Sequence, residues 1–244
     1  MLDRFHTPES LATETATGEM VELTGPEAHH LLNVLRKQPG DRVELFDGRG
    51  TAAIAEIISL SRRTIELRIV DRSTAVETSR RQVTLATAVP KGDRFRWLVE
   101  KATELGVERL IPLQTTRSVV DPRSGKLDKM RQAVIAACKQ SGRNRLLEIA
   151  ETTTLAELLD GRDGSQETES STLLIAHPGG EAIDEALADV PVETSILMLI
   201  GPEGGFTDDE VTLAESHGAK PISLGPHILR IETAALAAAA VFVR

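Results

Sequence analysis

The sequence predicts an α/β protein that consists of a small N-terminal β-barrel and a larger domain built on a mostly parallel sheet. Short β-branched runs separated by turn sequences dominate residues 1–72, which is typical of a barrel. From Val83 onward, strand-like runs alternate with amphipathic helical segments, as in a sheet covered by helices on both faces. At 244 residues the chain is long enough for both parts.

The N-terminal part contains the strand signals and one helix. The helix PEAHHLLNVLRK begins at Pro26, and one face carries Ala28, Leu31, Leu32 and Leu35. QPGD and DGRG supply the turns between strands. We predict a barrel over residues 1–74 whose strands are EMVEL, RVELFD, TAAIAEIISL and RTIELRIVD.

The C-terminal part, residues 75–244, is predicted to alternate between strands and helices. Asp93 is expected to cap the helix RFRWLVEKATEL, which Gly106 ends. The later helix KLDKMRQAVIAACKQSG places Cys138 on an apolar stripe, so we interpret this cysteine as a core residue. The polar stretch GRDGSQETESS predicts a long loop. The expected strands are VTLATAVP, ERLIPL, LLEIA, TLLIA, SILMLI and KPISLG.

Composition restricts the function. The start of the chain has no apolar signal segment, and AALAAAAVFV is too short to span a membrane. A single cysteine fits a reducing cytoplasm, and no metal-ligand spacing occurs among the histidines and the cysteine, so no metal is expected. The net charge is −9, yet residues 91–145 carry 13 Lys/Arg against 6 Asp/Glu. This block indicates either a local polyanion site or a solvated helix face.

A glycine-rich turn follows an apolar strand in LIGPEGGFTDDE, residues 199–210, and raises the question of its ligand. The sequence contains neither the P-loop pattern GxxxxGK[ST] nor the dinucleotide-binding pattern GxGxxG. Thr207 and Glu210 form a capping box, and three carboxylates occupy the first turn of the helix that follows. These groups disfavour a phosphate at the helix start. We therefore predict a phosphate-free, neutral or cationic adenosine derivative, for which S-adenosylmethionine is the obvious candidate.

Several stretches resemble one enzyme family over nearly the whole chain: HHLLNVLRK, KGDRFRWLVEKATELGV, QSGRNR, LIGPEGGFTDDEV and SLGPHILRIETA. The family is that of the 16S rRNA uracil-N3 methyltransferases, which are SPOUT-class enzymes. The resemblance implies an N-terminal PUA-like β-barrel for RNA and a C-terminal trefoil-knotted domain for S-adenosylmethionine. It also implies a homodimer that acts on 16S rRNA or the small ribosomal subunit. The chain departs from the family pattern at His227, where Arg is usual, and at Ile231, where Thr is usual.

Three groups of site residues follow from the motifs. Arg230 is expected to stabilise an anionic uracil, and Glu232 to accept its proton or hold the cofactor ribose, although the two residues could also form only a cap and a salt bridge. The residues expected at the cofactor are Ala176, Leu199, Ile200, Gly201, Pro202, Glu203, Gly204, Gly205, Ser223, Leu224, Gly225, Ile228, Leu229 and Arg230. The residues expected at RNA are Arg4, His30, Arg36, Arg117, Lys139, Gln140, Arg143 and Arg145.

Two alternatives remain open from the sequence. Another SPOUT reaction, such as ribose 2′-O methylation, would use the same cofactor loops. A non-catalytic RNA-binding assembly factor could retain the fold, although a chain without cofactor would have no need of intact GPEGG and RIETA motifs.

Overall fold

The computed structural model separates the chain into two compact units. The first comprises Met1–Thr78 with Cys138–Leu146, and the second comprises Ser79–Ala137 with Leu147–Arg244. For residues 73 and 124–128 the structure describes the backbone only. The structure describes residues 2–11, 18–73, 81–120, 124–161, 171–188, 190–191 and 193–243.

A curled five-stranded sheet forms the first unit, in the order β1-β3-β4-β5-β2. β1 runs parallel to β3, and the other pairs are antiparallel. Alternate residues of these strands are buried in one apolar core, which includes Phe5, Val43 and Leu67. The strands are β1 (Arg4–His6), β2 (Met20–Thr24), β3 (Arg42–Phe46), β4 (Ala52–Leu60) and β5 (Thr64–Ser73). β1 was not predicted, because three residues are too few to show a strand pattern.

The predicted N-terminal helix is divided in the structure. A short helix α1 (Gly25–His29) leads directly into a π-helix (His30–Leu35). Arg36 then adopts the left-handed conformation with φ 53°, and its N–H donates to the carbonyl of Leu31. Apolar spacing cannot distinguish these windings, because Ala28 and Leu31 point into the core in either case.

A seven-stranded parallel sheet organises the second unit, in the order β12-β10-β11-β6-β7-β8, with β9 also paired to β7. Its strands are β6 (Val83–Ala88), β7 (Arg109–Gln114), β8 (Glu148–Ile149), β9 (Thr153–Thr154), β10 (Thr172–Ala182), β11 (Ile196–Ile200) and β12 (Lys220–Ser223). β11 is buried throughout and lies in the middle of the sheet. β10 breaks its register with β12 between Ala176 and Glu181.

Helices complete the second unit, except that α3 ends in the first unit. They are α2 (Arg94–Leu105), α3 (Ser124–Ser141), α4 (Leu155–Asp160), α5 (Ile183–Ala186), α6 (Asp208–Ser216) and α7 (Ile231–Phe242). The expected cap of α2 is wrong, since the Asp93 side chain makes no capping bond, while the expected Thr207–Glu210 capping box of α6 is confirmed. Cys138 is fully buried, as predicted.

The described helices include none that is long and apolar enough to cross a membrane. Most of the predicted loop GRDGSQETESS, residues 162–170, lies outside the described residues.

Candidate active site

A cavity of about 420 Å³ lies where three strands of the parallel sheet meet glycine-rich turns. One wall comes from the irregular part of β10, another from the turn after β11, and a third from the segment between β12 and α7. Carboxyl ends of parallel strands are the usual ligand site of open α/β sheets. The lining residues are Ala176, His177, Pro178, Ile200, Gly201, Pro202, Glu203, Gly204, Gly205, Ser223, Leu224, Gly225, Pro226, His227, Ile228, Leu229, Ile231 and Ala234.

The shape of the turns depends on glycine. Gly205 has φ +69° and Gly225 has φ +128°, a conformation in which a side chain would be strained. At Gly180, a Cβ would come within 2.5 Å of the backbone nitrogen of Ile222. The bulged part of β10 can therefore pack against β12 only because glycine stands there.

The electrostatics of the cavity disfavour phosphate. No lysine or arginine occurs among the described lining residues, and Glu203 contributes a carboxylate. The first turn of α6 is already capped: Thr207 N–H donates to Glu210 at 2.8 Å, and Glu210 N–H donates to the Thr207 hydroxyl at 3.2 Å. Apolar walls, exposed backbone groups and a single carboxylate fit an uncharged or cationic adenosine ligand.

Most residues expected at the cofactor line this cavity. Leu199 is an exception because it is fully buried within β11, and Arg230 is another because it precedes α7 without lining the cavity. The signal that could have found the other lining residues is the combination of glycine and proline after a strand, as in HPGG (177–180) and GPHILRIE (225–232). The lining residues that were missed are His177, Pro178, Pro226, His227, Ile231 and Ala234.

The two expected catalytic residues differ in environment. Arg230 is exposed at the N-cap position of α7, between lining residues Leu229 and Ile231. Glu232 is only 5% exposed, and its Oε1 accepts from Nη1 of Arg94 at 3.4 Å. Its buried Oε2 has no hydrogen-bond partner among the described residues.

Arg94 is a site residue that the sequence did not reveal. This first residue of α2 pairs with Glu232 and also lies 3.6 Å from the carboxylate of Glu203. It therefore links the start of α7 to the turn after β11. The sequence carries no local signal for this contact, because Arg94 and Glu232 are 138 positions apart.

Comparison with known proteins decides the family. Residues 77–243 match the model of the RNA methyltransferase domain, and residues 23–70 match that of the RNA methyltransferase PUA domain. The ribosomal RNA small subunit methyltransferase E of Bacillus subtilis is 32% identical over 88% of this chain and 86% of its own length. The chain belongs to the ribosomal RNA small subunit methyltransferase E family.

Two further proteins named methyltransferase E support the same family. The Synechocystis protein of that name is 33% identical over 93% of this chain and 72% of its own length. The crystal structure of the Neisseria gonorrhoeae protein, bound to S-adenosyl methionine, aligns with a TM-score of 0.86 at 33% identity, covering 99% of this chain and 96% of that one. The predicted α/β fold, a SPOUT methyltransferase domain with a PUA-like sheet, is confirmed, and the chain is an RNA methyltransferase.

Two cations that we expected to contact RNA are engaged inside the first unit of this methyltransferase E homologue. Arg4 is 8% exposed, forms an ion pair with Glu44 at 2.9 Å and donates to the carbonyl of Cys138 at 3.0 Å. It also bonds to the side chain of Asn144. Lys139 donates to both oxygens of Glu27, at 2.9 and 3.2 Å.

Phenylalanine rings lie beneath both cations. The guanidinium carbon of Arg4 is 4.9 Å from the ring centre of Phe46, and Nζ of Lys139 is 4.8 Å from that of Phe5. Aromatic faces attract cations at these distances. Both cations therefore make extensive contacts within the protein, which their sequence context did not indicate.

The other expected RNA residues occupy varied positions. His30 lies edge-on to Phe5, with ring centres 6.1 Å apart, whereas Arg36 and Gln140 are exposed. Arg143 and Arg145 are half-buried in the segment after α3. Only Arg117 belongs to the second unit and contacts the turn after β11.

Proposed function

We propose that this chain transfers a methyl group from S-adenosylmethionine to N3 of a uridine in the 16S RNA of the small ribosomal subunit. The observation that carries the proposal is the glycine-lined cavity without a lysine or arginine among its described lining residues. Membership of the methyltransferase E family supports it, as does the S-adenosyl methionine bound to the Neisseria relative. The cofactor would supply an electrophilic methyl group on its sulfonium.

The residues present fit this cofactor. Backbone groups of Gly201 and Gly225 would approach the adenosine, with Ile200 and Leu224 as apolar walls. Glu203 complements a ligand of positive charge. No lysine or arginine in the described lining would repel the sulfonium or attract the phosphates of a nucleotide.

Uracil N3 must lose its proton before it can be methylated, because its lone pair is delocalised into the ring carbonyls. We propose that Arg230 stabilises the resulting anion, since its exposed guanidinium follows the lining residue Leu229. Glu232, which pairs with Arg94, is proposed as the carboxylate that accepts the proton or holds the cofactor ribose. Its Oε2 without a described partner can accept one more hydrogen bond.

Single-turnover methylation of 16S RNA tests these roles. Arg230→Ala should lower the rate at least about 100-fold, because one electrostatic stabiliser is lost, while cofactor affinity is retained. Glu232→Gln should lower the rate with little change in affinity if Glu232 takes the proton, and higher pH should partly restore that rate. Near-normal rates in both variants at saturating substrates would disprove both assignments.

The identity of the cofactor has its own test. S-adenosylhomocysteine should raise the melting temperature of the protein, because a ligand that binds only the folded state stabilises it. ATP and NAD, which carry phosphates, should leave it unchanged. Tight binding of ATP would contradict the proposed cofactor.

We propose that the PUA-like barrel, residues 1–74, contacts RNA together with the segment that contains Gln140, Arg143 and Arg145. The excess of cations in residues 91–145 supports this role. Arg143→Ala should weaken RNA binding and reduce its log–log salt slope by about one, without changing cofactor affinity. An unchanged slope would assign the basic block to a solvated surface. We infer a cytoplasmic location from this ribosomal substrate and the single cysteine.

We also propose that the protein acts as a homodimer. Trp97 on α2 is 46% exposed although it is a large apolar side chain, which supports a contact surface there. Sedimentation should give twice the chain mass of 26.4 kDa. Trp97→Glu should shift the protein towards the monomer, whereas a wild-type monomer at micromolar concentration would contradict the proposal.

A further inference from the structure

Arg117 is tied to the turn that forms one wall of the cavity. Its Nη1 donates to the carbonyl of Gly204 at 2.6 Å and to that of Phe206 at 3.3 Å. Gly204 lines the cavity, whereas Arg117 does not. The arginine therefore acts on the cavity through the backbone of the turn.

The segment that carries Arg117 has a defined shape of its own. It follows β7, and the Ser118 hydroxyl accepts from the Thr115 N–H at 3.0 Å, while the N–H of Ser118 donates to the Thr115 carbonyl at 3.0 Å. These bonds close a tight turn around Arg117. β6 separates β7 from β11, so the side chain spans the end of an intervening strand to reach Gly204.

A second tie joins the same two segments. The N–H of Thr116 donates to Oε1 of Glu210 at 2.7 Å, while Oε2 of Glu210 caps α6 through Thr207. Burial opposes ionisation of this carboxyl, but the donors of Thr116 and Thr207 outweigh it and hold the pKa of Glu210 below its ordinary value. An ionised Glu210 thus fixes both the Thr116 backbone and the start of α6.

Packing supports the same role. A Cβ placed on Gly204 would lie 3.3 Å from Cδ of Arg117, which is a tight contact. The aliphatic stem of the arginine therefore covers the α-carbon of Gly204 while its guanidinium holds the carbonyl. This contact is one reason why glycine is favoured at position 204.

We propose that Arg117 is a positioning residue that holds the turn 201–206 in the shape that binds the cofactor. The inference rests on the proposed function, because it assumes that the cavity takes S-adenosylmethionine. It differs from the RNA contact expected from the sequence in a measurable way. Loss of an RNA contact lowers the salt slope of RNA binding, whereas loss of a positioning residue lowers cofactor affinity.

Calorimetric titration with S-adenosylhomocysteine tests the proposal on the full chain. Arg117→Ala should weaken binding about tenfold or more, which is the scale of one hydrogen bond from a charged donor. Arg117→Lys should recover part of the loss, since one donor can still reach the carbonyl of Gly204. Arg109→Ala is the matched control, because Arg109 begins the same strand and pairs with Glu148 away from the turn.

Kinetics and exchange add readouts that general destabilisation would not reproduce. In Arg117→Ala, KM for S-adenosylmethionine should rise while kcat at saturation is largely kept. Amide hydrogen exchange should increase in residues 201–207 and not in β6. Gly204→Ala should weaken cofactor binding in the wild-type background and much less in the Arg117→Ala background, because the crowded neighbour is then gone.

The outcomes separate the proposal from its premise. If wild-type protein fails to bind S-adenosylhomocysteine, the proposed function is wrong. If it binds and Arg117→Ala binds equally well, Arg117 is not a positioning residue. Unchanged cofactor affinity with an RNA salt slope reduced by about one would assign Arg117 to RNA instead. Should Arg117→Ala not fold, Arg117→Lys and Arg117→Gln carry the same comparison, and wild-type affinity in both overturns the proposal.

Discussion

Two arginines, one in each compact unit, differ in burial and in the groups that they contact. Arg4 in the first unit is 8% exposed and makes an ion pair and bonds to Cys138 and Asn144. Arg117 in the second unit is exposed and donates from Nη1 to the backbone carbonyls of Gly204 and Phe206. Burial makes Arg4 part of the folding free energy, whereas exposure limits the effect of Arg117 to the conformation of one turn.

The largest effect should come from Arg4→Met. The variant loses the ion pair with Glu44, whose side chain is 28% exposed, and also the bonds to Cys138 and Asn144, so the free energy of unfolding should fall by about 3 kcal/mol. Denaturant unfolding measures this change. Arg68→Met is the matched control, since Arg68 pairs with Glu56 at 3.3 Å but is 47% exposed, and its loss should cost below about 1 kcal/mol. Equal losses in the two variants would break the comparison.

A smaller effect is expected for the pair of Lys139 and Glu27. Both side chains are 19% exposed, so their coupling should be about 1 kcal/mol, between the values for buried and exposed pairs. A double-mutant cycle with Lys139→Met and Glu27→Gln isolates it. RNA binding of Lys139→Met should change little, because Nζ already contacts Glu27 and Phe5. A marked fall in RNA affinity without loss of stability would instead indicate that Lys139 contacts RNA.

Low pH should weaken the hydrogen bonds that Glu210 accepts from Thr116 and Thr207. Because the pKa of its carboxyl is lowered in the folded protein, the stabilisation is complete above the ordinary value of 4.5 and is lost as pH falls through the lower folded pKa. The difference in unfolding free energy between wild type and Glu210→Gln should therefore shrink as pH falls from 5 towards 3. A difference that grows over this range would contradict the prediction. Its size should stay below about 1 kcal/mol, since Glu210 is only half-buried and solvent screens the interaction.

The smallest effect concerns Cys138 in the first unit. Burial raises the pKa of its thiol to about 11, against the opposing influence of Arg143 and Arg4. Iodoacetamide at pH 7.5 should therefore leave the native protein unmodified and label it only after denaturation. Labelling of the native protein at a rate typical of a free thiol would show that neighbouring cations, rather than burial, control this site.

The cavity turns were predictable because their signals are local. Glycine at positive φ, as at Gly205 and Gly225, and a capping box between Thr207 and Glu210 act over a few residues, so the sequence displays them directly. The acidic residues that follow the turn at Gly205 also led to the prediction of a ligand without phosphate. The family resemblance added the expectation of a knot and of a homodimer, which no periodicity indicates.

The side-chain partners could not be predicted in the same way. Arg117 meets Gly204 across 87 positions, and Arg94 meets Glu232 across 138. A basic side chain looks the same in sequence whether it faces a phosphate or a carboxylate, and only the tertiary fold decides between them. Arg4 and Lys139 are two such basic side chains. The π-helix was also unpredictable, because its apolar spacing is the same as that of an α-helix.

The interrupted course of the first unit has a consequence for biosynthesis. Its segment Cys138–Leu146 leaves the ribosome only after Ser79–Ala137 has been made. Until then Arg4 has neither the carbonyl of Cys138 nor the side chain of Asn144, and Gly50 has not met the carbonyl of Asn144. The N-terminal sheet, whose five strands all lie within Arg4–Ser73, must therefore lack these contacts while the first strands of the parallel sheet are synthesised, and a fragment that ends at residue 78 would lack them permanently.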